Sequence, residues 1–352
     1  MAERRASPSA AVPSAPRVLI VDDSAVARAA LSRFVADTGR YAVAAAVPDV
    51  ERALAFLTRE RVDVIVLDLE LPRTSGIDGL PALLAAGRGA RILVVSGSAA
   101  EGAAITIRAL ALGAADTLVK PANGAIAARF GEVLVARLDL LCAPDDGPRG
   151  RSGRAPAPAR AFDVVAIGAS TGGIHALAGL LAAIPATVAT PILVTQHLPA
   201  AFSSFFATQV SLSARRPCVV AAERARVLSG HVVVAPGDAH IIAVSLGDGR
   251  MATRLSREPS ATGNIPSVDP MFASLAAIHG PRLLAVVLSG MGRDGLEGAR
   301  AVHAAGGTVI AQDEASSVVW GMPGAVVGAG LAAAVLTPGE IGAYVAAAGG
   351  PS

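Results

Sequence analysis

Ser170, His197 and Asp294 each follow an apolar run, and together they could carry out acyl transfer. Ser170 lies in Gly168-Ala169-Ser170-Thr171-Gly172-Gly173, between a β-branched run (164–167) and an Ala/Leu-rich segment (174–184). This pattern predicts a buried strand turning sharply into a helix. Glycines at such a turn let a ligand approach the backbone, and the helix start offers unpaired N–H groups to negative charge. The turn could cradle a phosphate or present a nucleophile. A serine hydroxyl needs a base to take its proton near neutral pH. Imidazole can do this, while a carboxylate fixes the imidazole tautomer and stabilises the imidazolium. The oxyanion then needs donors already aimed at it. The Thr171 N–H and the Met291 N–H, in Ser289-Gly290-Met291-Gly292-Arg293-Asp294-Gly295, are the candidates.

The turn formally matches G-x-S-x-G, though Ser, His, Asp is not the Ser, Asp, His order of α/β-hydrolases. As G-x-G-x-x-G it is imperfect, and a dinucleotide site would leave His197 and Asp294 without a role. Hydrolysis is the better reading. His175 and His303 fall in expected helices, and His231, His240 and His279 near turns or element ends. His240, following Pro236-Gly237-Asp238, is the best substitute base among them.

A second set of residues suits phosphate chemistry. Asp22 and Asp23 end one apolar run, Asp68 ends another, and Ser96 and Lys120 end two more. Converging carboxylates repel unless a divalent cation neutralises them, and oxygen ligands suit Mg2+. A lysine and a hydroxyl nearby suit added negative charge, so Asp68 reads as a phosphorylation site.

The elements that must position these residues alternate in type. Strands are expected at 17–21, 41–47, 62–67, 91–95 and 117–119, with helices at 25–35, 50–58, 80–86, 105–112 and 126–140. That alternation predicts a parallel sheet covered on both faces, with chemistry at the carboxyl ends of the strands. Further strands are expected at 192–195, 227–237, 241–246, 283–288 and 308–311, helices at 203–210 and 271–278, a polar loop from 247 to 270, and a loop around Trp320. The fold class is α/β, with two doubly wound domains: residues 17–140, a flavodoxin-like five-stranded sheet, and residues 161–349, mainly parallel. A loose tail (1–16) and a Pro/Arg-rich linker (141–160) complete the division.

Composition narrows the classes further. The 352 residues are 53% hydrophobic and 16% charged, with a net charge of +2, which gives no basic footprint for nucleic acid. Cys142 and Cys218 fit neither a disulfide framework nor a zinc site, so a reduced, cytoplasmic setting is expected. Residues 164–214 carry no Asp, Glu, Lys or Arg, but Gly, Pro and polar residues interrupt them too often for a membrane span.

Residues 17–138 resemble a response-regulator receiver domain, on Asp22-Asp23, Asp68, Ser96 and Lys120-Pro121. That likeness implies Asp68 as phosphoacceptor, Mg2+ among Asp22, Asp23, Asp68 and the Glu70 backbone carbonyl, and phosphoryl contacts from Ser96 and Lys120. Thr117 stands where receivers commonly carry a switching aromatic residue, and Leu71 where Met is common. IGASTGG, TQHLPAAF, VAPGDAH, IPSVDPMFASLA, LSGMGRDG and QDEASSVVWGMPGAVV resemble the catalytic domain of chemotaxis protein-glutamate methylesterases. Together the two likenesses cover residues 17–345. They imply demethylation of glutamyl esters and deamidation of glutamines on chemoreceptors, with Ser170 as nucleophile, His197 as base and Asp294 as orienting acid. A chemotaxis histidine kinase is the implied phosphodonor, and no cofactor is implied for the esterase step. A DNA-binding regulator is disfavoured for want of a basic recognition helix, and a non-catalytic scaffold because all three catalytic residues are present.

Overall fold

The computed structural model describes residues 15–96, 102–120, 128–143, 161–247 and 249–348. Most of the expected tail and linker, and Pro121, lie outside them. The first sheet is built by β1 (Arg17–Val21), β2 (Ala42–Val47), β3 (Val64–Asp68), β4 (Arg91–Ser96) and β5 (Asp116–Val119). Between and after them run α1 (Ala25–Ala36), α2 (Val50–Leu57), α3 (Gly76–Gly87), α4 (Gly102–Leu112) and α5 (Ala128–Cys142). The strand order is β2-β1-β3-β4-β5, all parallel. β3 is buried along its whole length, as a strand covered by helices on both faces must be. The chain leaves β1 for β2 on one side and returns to β3 on the other, so Asp22 and Asp68 meet where the winding reverses.

The second sheet repeats the device. It is formed by β6 (Val164–Ala169), β7 (Ile192–Gln196), β8 (Cys218–Val220), β9 (Val232–Val234), β12 (Leu283–Val287), β13 (Thr308–Gln312) and β14 (Ala334–Leu336). Its order is β14-β13-β12-β6-β7-β9-β8, again parallel throughout. Winding reverses between β6 and β12, whose carboxyl ends lead to Ser170 and to the loop carrying Asp294. Helices α6 (Gly173–Ala182), α7 (Ser203–Ala214), α8 (Val268–His279), α9 (Leu296–Ala304), α10 (Gly321–Gly328) and α11 (Pro338–Ala348) cover the sheet. β10 (His240–Gly247) and β11 (Arg250–Ser256) form a separate antiparallel hairpin.

Several expectations need correction. The polar loop at 247–270 contains β11, and Asp269-Pro270 lie in the first turn of α8. The expected strand at 227–237 reduces to three residues of the main sheet and does not pair with the strand after Pro236-Gly237-Asp238. The region of Trp320 becomes α10, because prolines are tolerated in a first helical turn. β8, β14 and α11 were not expected, and α5 runs to Cys142, into the expected linker.

One apolar core includes Leu80, Ile107 and Leu110 of the first half together with Leu177, Phe202 and Phe206 of the second. Within the second half, α11 packs on α6 at Gly342, where an added Cβ would lie 2.3 Å from the Leu180 carbonyl oxygen. Backbone cannot yield as a side-chain tip can, so Gly342→Ala must push the helices apart. Urea unfolding should show a loss of about 1–3 kcal/mol; an unchanged midpoint would mean the helices separate without cost.

Candidate active site

Ser170, His197 and Asp294 are brought together. Ser170 follows β6 directly, and Gly172, at φ 76°, turns the chain into α6. That left-handed conformation strains any residue with a Cβ, and here a Cβ would also strike Val318. His197 follows β7, the neighbour of β6. Its Nδ1 lies 3.1 Å from Ser170 Oγ, and its Nε2 lies 2.6 Å from Asp294 Oδ2. A carboxylate only accepts, so Nε2 carries the proton and Nδ1 is free to accept from the serine. The base therefore faces the nucleophile through Nδ1.

Asp294 is fully buried, between β12 and α9. Its Oδ1 accepts from Ser267 Oγ (2.7 Å) and the Gly295 N–H (3.1 Å), and its Oδ2 from the Val268 N–H (2.8 Å) as well as His197. Burial alone would raise its pKa, but His197, Ser267 and Val268 outweigh it and hold the carboxyl below its ordinary value. Asp269 beside it behaves oppositely. Burial, and then the Asp294 charge, push its pKa up to about 6 against a bond from the Gly298 N–H.

Other residues fix the loops. Gln196 Nε2 donates to the carbonyls of both Ser170 (2.9 Å) and His197 (3.2 Å), tying nucleophile and base turns together. Buried Ser289 donates its hydroxyl to the Thr171 carbonyl, and its own carbonyl accepts from the Ser170 N–H. Thr171 and Met291, the candidate oxyanion donors, border the same cavity as Ser170. His240 is not a base. Its Nδ1 accepts from the Ser267 N–H and its Nε2 donates to the Glu258 carbonyl, so it is a buried, structural imidazole.

At the first sheet, oxygens of Asp22, Asp23 and Asp68 lie within 4.8 Å of one another. Asp22 and Asp68 are buried and Asp23 is exposed. Lys120 Nζ reaches Asp68 (2.6 Å) and Asp22 (2.9 Å); burial would lower its pKa, but these carboxylates raise it. Even so, burial leaves Asp68 above its ordinary value despite Lys120. One ammonium does not satisfy this hard-oxygen cluster, and a divalent cation fits it. The Glu70 N–H donates to Asp68 Oδ1. Ser96 is buried with its hydroxyl accepting from Thr106, while its carbonyl accepts from the Lys120 N–H. Arg28, unremarked in the sequence, donates to the carbonyls of Asp22 and Asp23.

The two halves of the chain meet at a seam beside Ser170. The Gly172 N–H donates to the Ala115 carbonyl (3.1 Å), and His175 Nδ1 lies 2.9 Å from the Ala111 carbonyl. Asp116 pairs with Arg137 (2.8 Å); burial raises its pKa, partly offset by Arg137 and the Thr171 hydroxyl. A partly open cavity of about 610 Å³ runs along this seam, lined by Asp116, Thr117 and Arg137 on one side and by Ser170, His197 and Met291 on the other. Thr117 Oγ1 is buried there without a partner among the described residues. Sequence reasoning passed over Gln196, Ser267, Ser289 and Asp116; only the Gln196-His197 adjacency gave any signal.

Comparison with known proteins follows the same division. The CheB methylesterase family matches residues 165–345, and the response regulator receiver domain family matches residues 18–128. Protein-glutamate methylesterase/protein-glutamine glutaminase 1 of Paramagnetospirillum magneticum is 38% identical, over 96% of this chain and 97% of that protein. Protein-glutamate methylesterase/protein-glutamine glutaminase 2 of Caulobacter vibrioides is 40% identical, over 94% of this chain and 98% of that protein. The crystal structure of the Thermotoga maritima CheB methylesterase catalytic domain aligns with a TM-score of 0.51 at 33% identity, covering 53% of this chain and 98% of that one. No helix among the described residues is long and apolar enough to cross a membrane.

The Asp269 pair has a consequence for stability. Its folded pKa, about 6, lies above the unfolded value near 3.8, so its ionisation on raising the pH costs the folded state. Asp269→Asn should therefore melt at a higher temperature than the parent at pH 7.5, with the gap closing as the pH falls toward 4. A gap independent of pH in thermal unfolding scans would show that Asp269 is not the titrating group.

Proposed function

The chain belongs to the family of CheB methylesterases that carry a response regulator receiver domain, and from that premise we propose that Ser170 hydrolyses glutamyl methyl esters of chemoreceptors under the control of Asp68. It is a protein-glutamate methylesterase and protein-glutamine glutaminase, as its relatives are named. One observation supports the serine mechanism above the rest: the Ser170–His197–Asp294 chain of hydrogen bonds at the reversal point of the sheet.

His197 Nδ1 takes the Ser170 proton as Oγ attacks the ester carbonyl. The imidazolium keeps its Nε2–H on Asp294, whose charge its donors preserve. The backbone N–H groups of Thr171 and Met291 receive the oxyanion. When the C–O bond breaks, the Nδ1 proton goes to the leaving oxygen and methanol departs; with a glutamine, ammonia leaves instead. Water then attacks the acyl-serine, giving its proton to Nδ1, and glutamate is released as Ser170 recovers its hydroxyl hydrogen.

The receiver half supports regulation. Asp22, Asp23, Asp68 and the Glu70 carbonyl would hold Mg2+, which would supply positive charge to offset the cluster and an added phosphoryl group. Lys120 and Ser96 would contact the phosphoryl group accepted from a histidine kinase. The unphosphorylated receiver lies against the catalytic cleft, with Ala115 holding Gly172 and Ala111 holding His175. Lys120 and Asp116 belong to one short segment, β5 and the residue after it, so a shift of Lys120 toward a phosphoryl group bears on the seam directly and needs no aromatic switch at Thr117. From these receptors and this kinase we infer a cytoplasmic enzyme whose receiver domain (17–140) and methylesterase domain (161–349) are joined by the Pro/Arg-rich segment (141–160).

Ser170→Ala should abolish methanol release from methylated receptor membranes with its unfolding midpoint unchanged. Release at the parent rate from a folded variant would reject Ser170 as the nucleophile.

A further inference from the structure

We propose that Ser267 is a positioning residue of the hydrolytic site, holding the Asp294 carboxylate in the orientation and charge state that His197 requires. The inference rests on the assignment of Asp294 as the acid partner of His197. Ser267 is wholly buried and precedes α8 at its N-cap, with φ −115° and ψ 147°. A serine there ordinarily turns its hydroxyl onto the helix's own N–H groups. This one makes no such bond. Its hydroxyl goes instead to Asp294 Oδ1 at 2.7 Å, and the next N–H, of Val268, goes to Asp294 Oδ2 at 2.8 Å. The helix start is thus spent on the carboxylate, and its dipole favours the negative charge there.

Behind Ser267 stands a dedicated support. The Ser267 N–H donates to His240 Nδ1 (2.8 Å), whose own Nε2 is anchored on the Glu258 carbonyl (2.8 Å). In front, the strand that presents the nucleophile makes room. A Cβ at Gly168 would fall 2.4 Å from Val268, so a glycine two residues before Ser170 is what allows the α8 start to close on Asp294. Two donors on Oδ1, Ser267 and Gly295, resist rotation of the carboxylate and leave Oδ2 aimed at His197. With the Ser267 hydroxyl removed, one buried lone pair of Asp294 loses its donor. The Asp294–His197 pair then holds an extra proton more tightly, and the imidazole is less firmly aimed at Ser170.

The test is methanol release by the full chain as a function of pH, for the parent, Ser267→Ala and Ser170→Ala. Ser267→Ala should lower kcat by roughly tenfold to a hundredfold with KM unchanged, and should move the acid limb of kcat/KM to higher pH. Asp269, from α8, also faces Asp294, but it titrates in parent and variant alike, so the difference between their profiles isolates Ser267. A purely structural role would reduce the folded fraction and the amplitude without moving the limb. A folded Ser267→Ala with the parent limb and kcat overturns the proposal, while an inactive Ser170→Ala beside it leaves the serine mechanism standing. If the parent released no methanol, both would fall. Should Ser267→Ala fail to fold, Ser267→Cys decides, because its thiol is a weaker donor: a displaced limb supports the proposal and an undisplaced one rejects it.

Discussion

A hydrogen bond from Gly172 to the Ala115 carbonyl joins the residue after the Ser170-Thr171 turn to the receiver. Around it, Ala111 holds His175 and Asp116 lies beside Thr171. Backbone groups make the first contact, so it depends on both sheets ending at matching heights. The shared core of Leu110, Ile107, Leu177 and Phe206 sets those heights, because apolar surface buried between the halves fixes their spacing to within a side chain. The seam thus borders the hydrolytic site, and Ser170 itself lines the cavity along it.

Within the catalytic half, the governing constraint is the burial of Asp294. An ionised carboxylate without water must be surrounded by donors, or it takes a proton and ceases to serve the imidazole. Asp294 has four such bonds, and Asp269, with fewer, is shifted the other way. The two neighbouring carboxylates are therefore shifted in opposite directions, Asp294 held down by its donors and Asp269 raised by burial and by the Asp294 charge. At the receiver site the same physics runs short of donors, since Lys120 does not offset the burial of Asp68, and the result is an acidic cluster that a divalent cation fits.

The sequence revealed the parts whose signals are carried by side chains in apolar context. Ser170, His197, Asp22 and Asp68 each end a run long enough to read as a buried strand, and parallel winding then gathers such ends at one edge. β8 and β14 escaped because three residues are too few for a period. β11 escaped because Arg250, Thr253 and Arg254 made it polar, though it pairs fully with β10. α10 was hidden by Gly321, Pro323 and Gly324, which suggest a loop unless one knows the prolyl residue falls in a first turn. Ser267 reads as an ordinary helix cap 27 residues before Asp294, and only the fold turns its hydroxyl away from its own helix. The family resemblance implies a receiver packed over the cleft, but the contacts of the seam left no mark, because carbonyls of alanines have no sequence signature.

The central claim is that the seam closes the cleft until Asp68 carries a phosphoryl group. Its most direct measurement is the initial rate of methanol release from methylated receptor membranes, for the full chain with Mg2+, with and without a small-molecule phosphodonor. The account requires the phosphodonor to raise the rate several-fold in the parent and to leave Asp68→Asn at its basal rate. Equal rates in the parent with and without the phosphodonor, once Asp68 is shown to be phosphorylated, would contradict it.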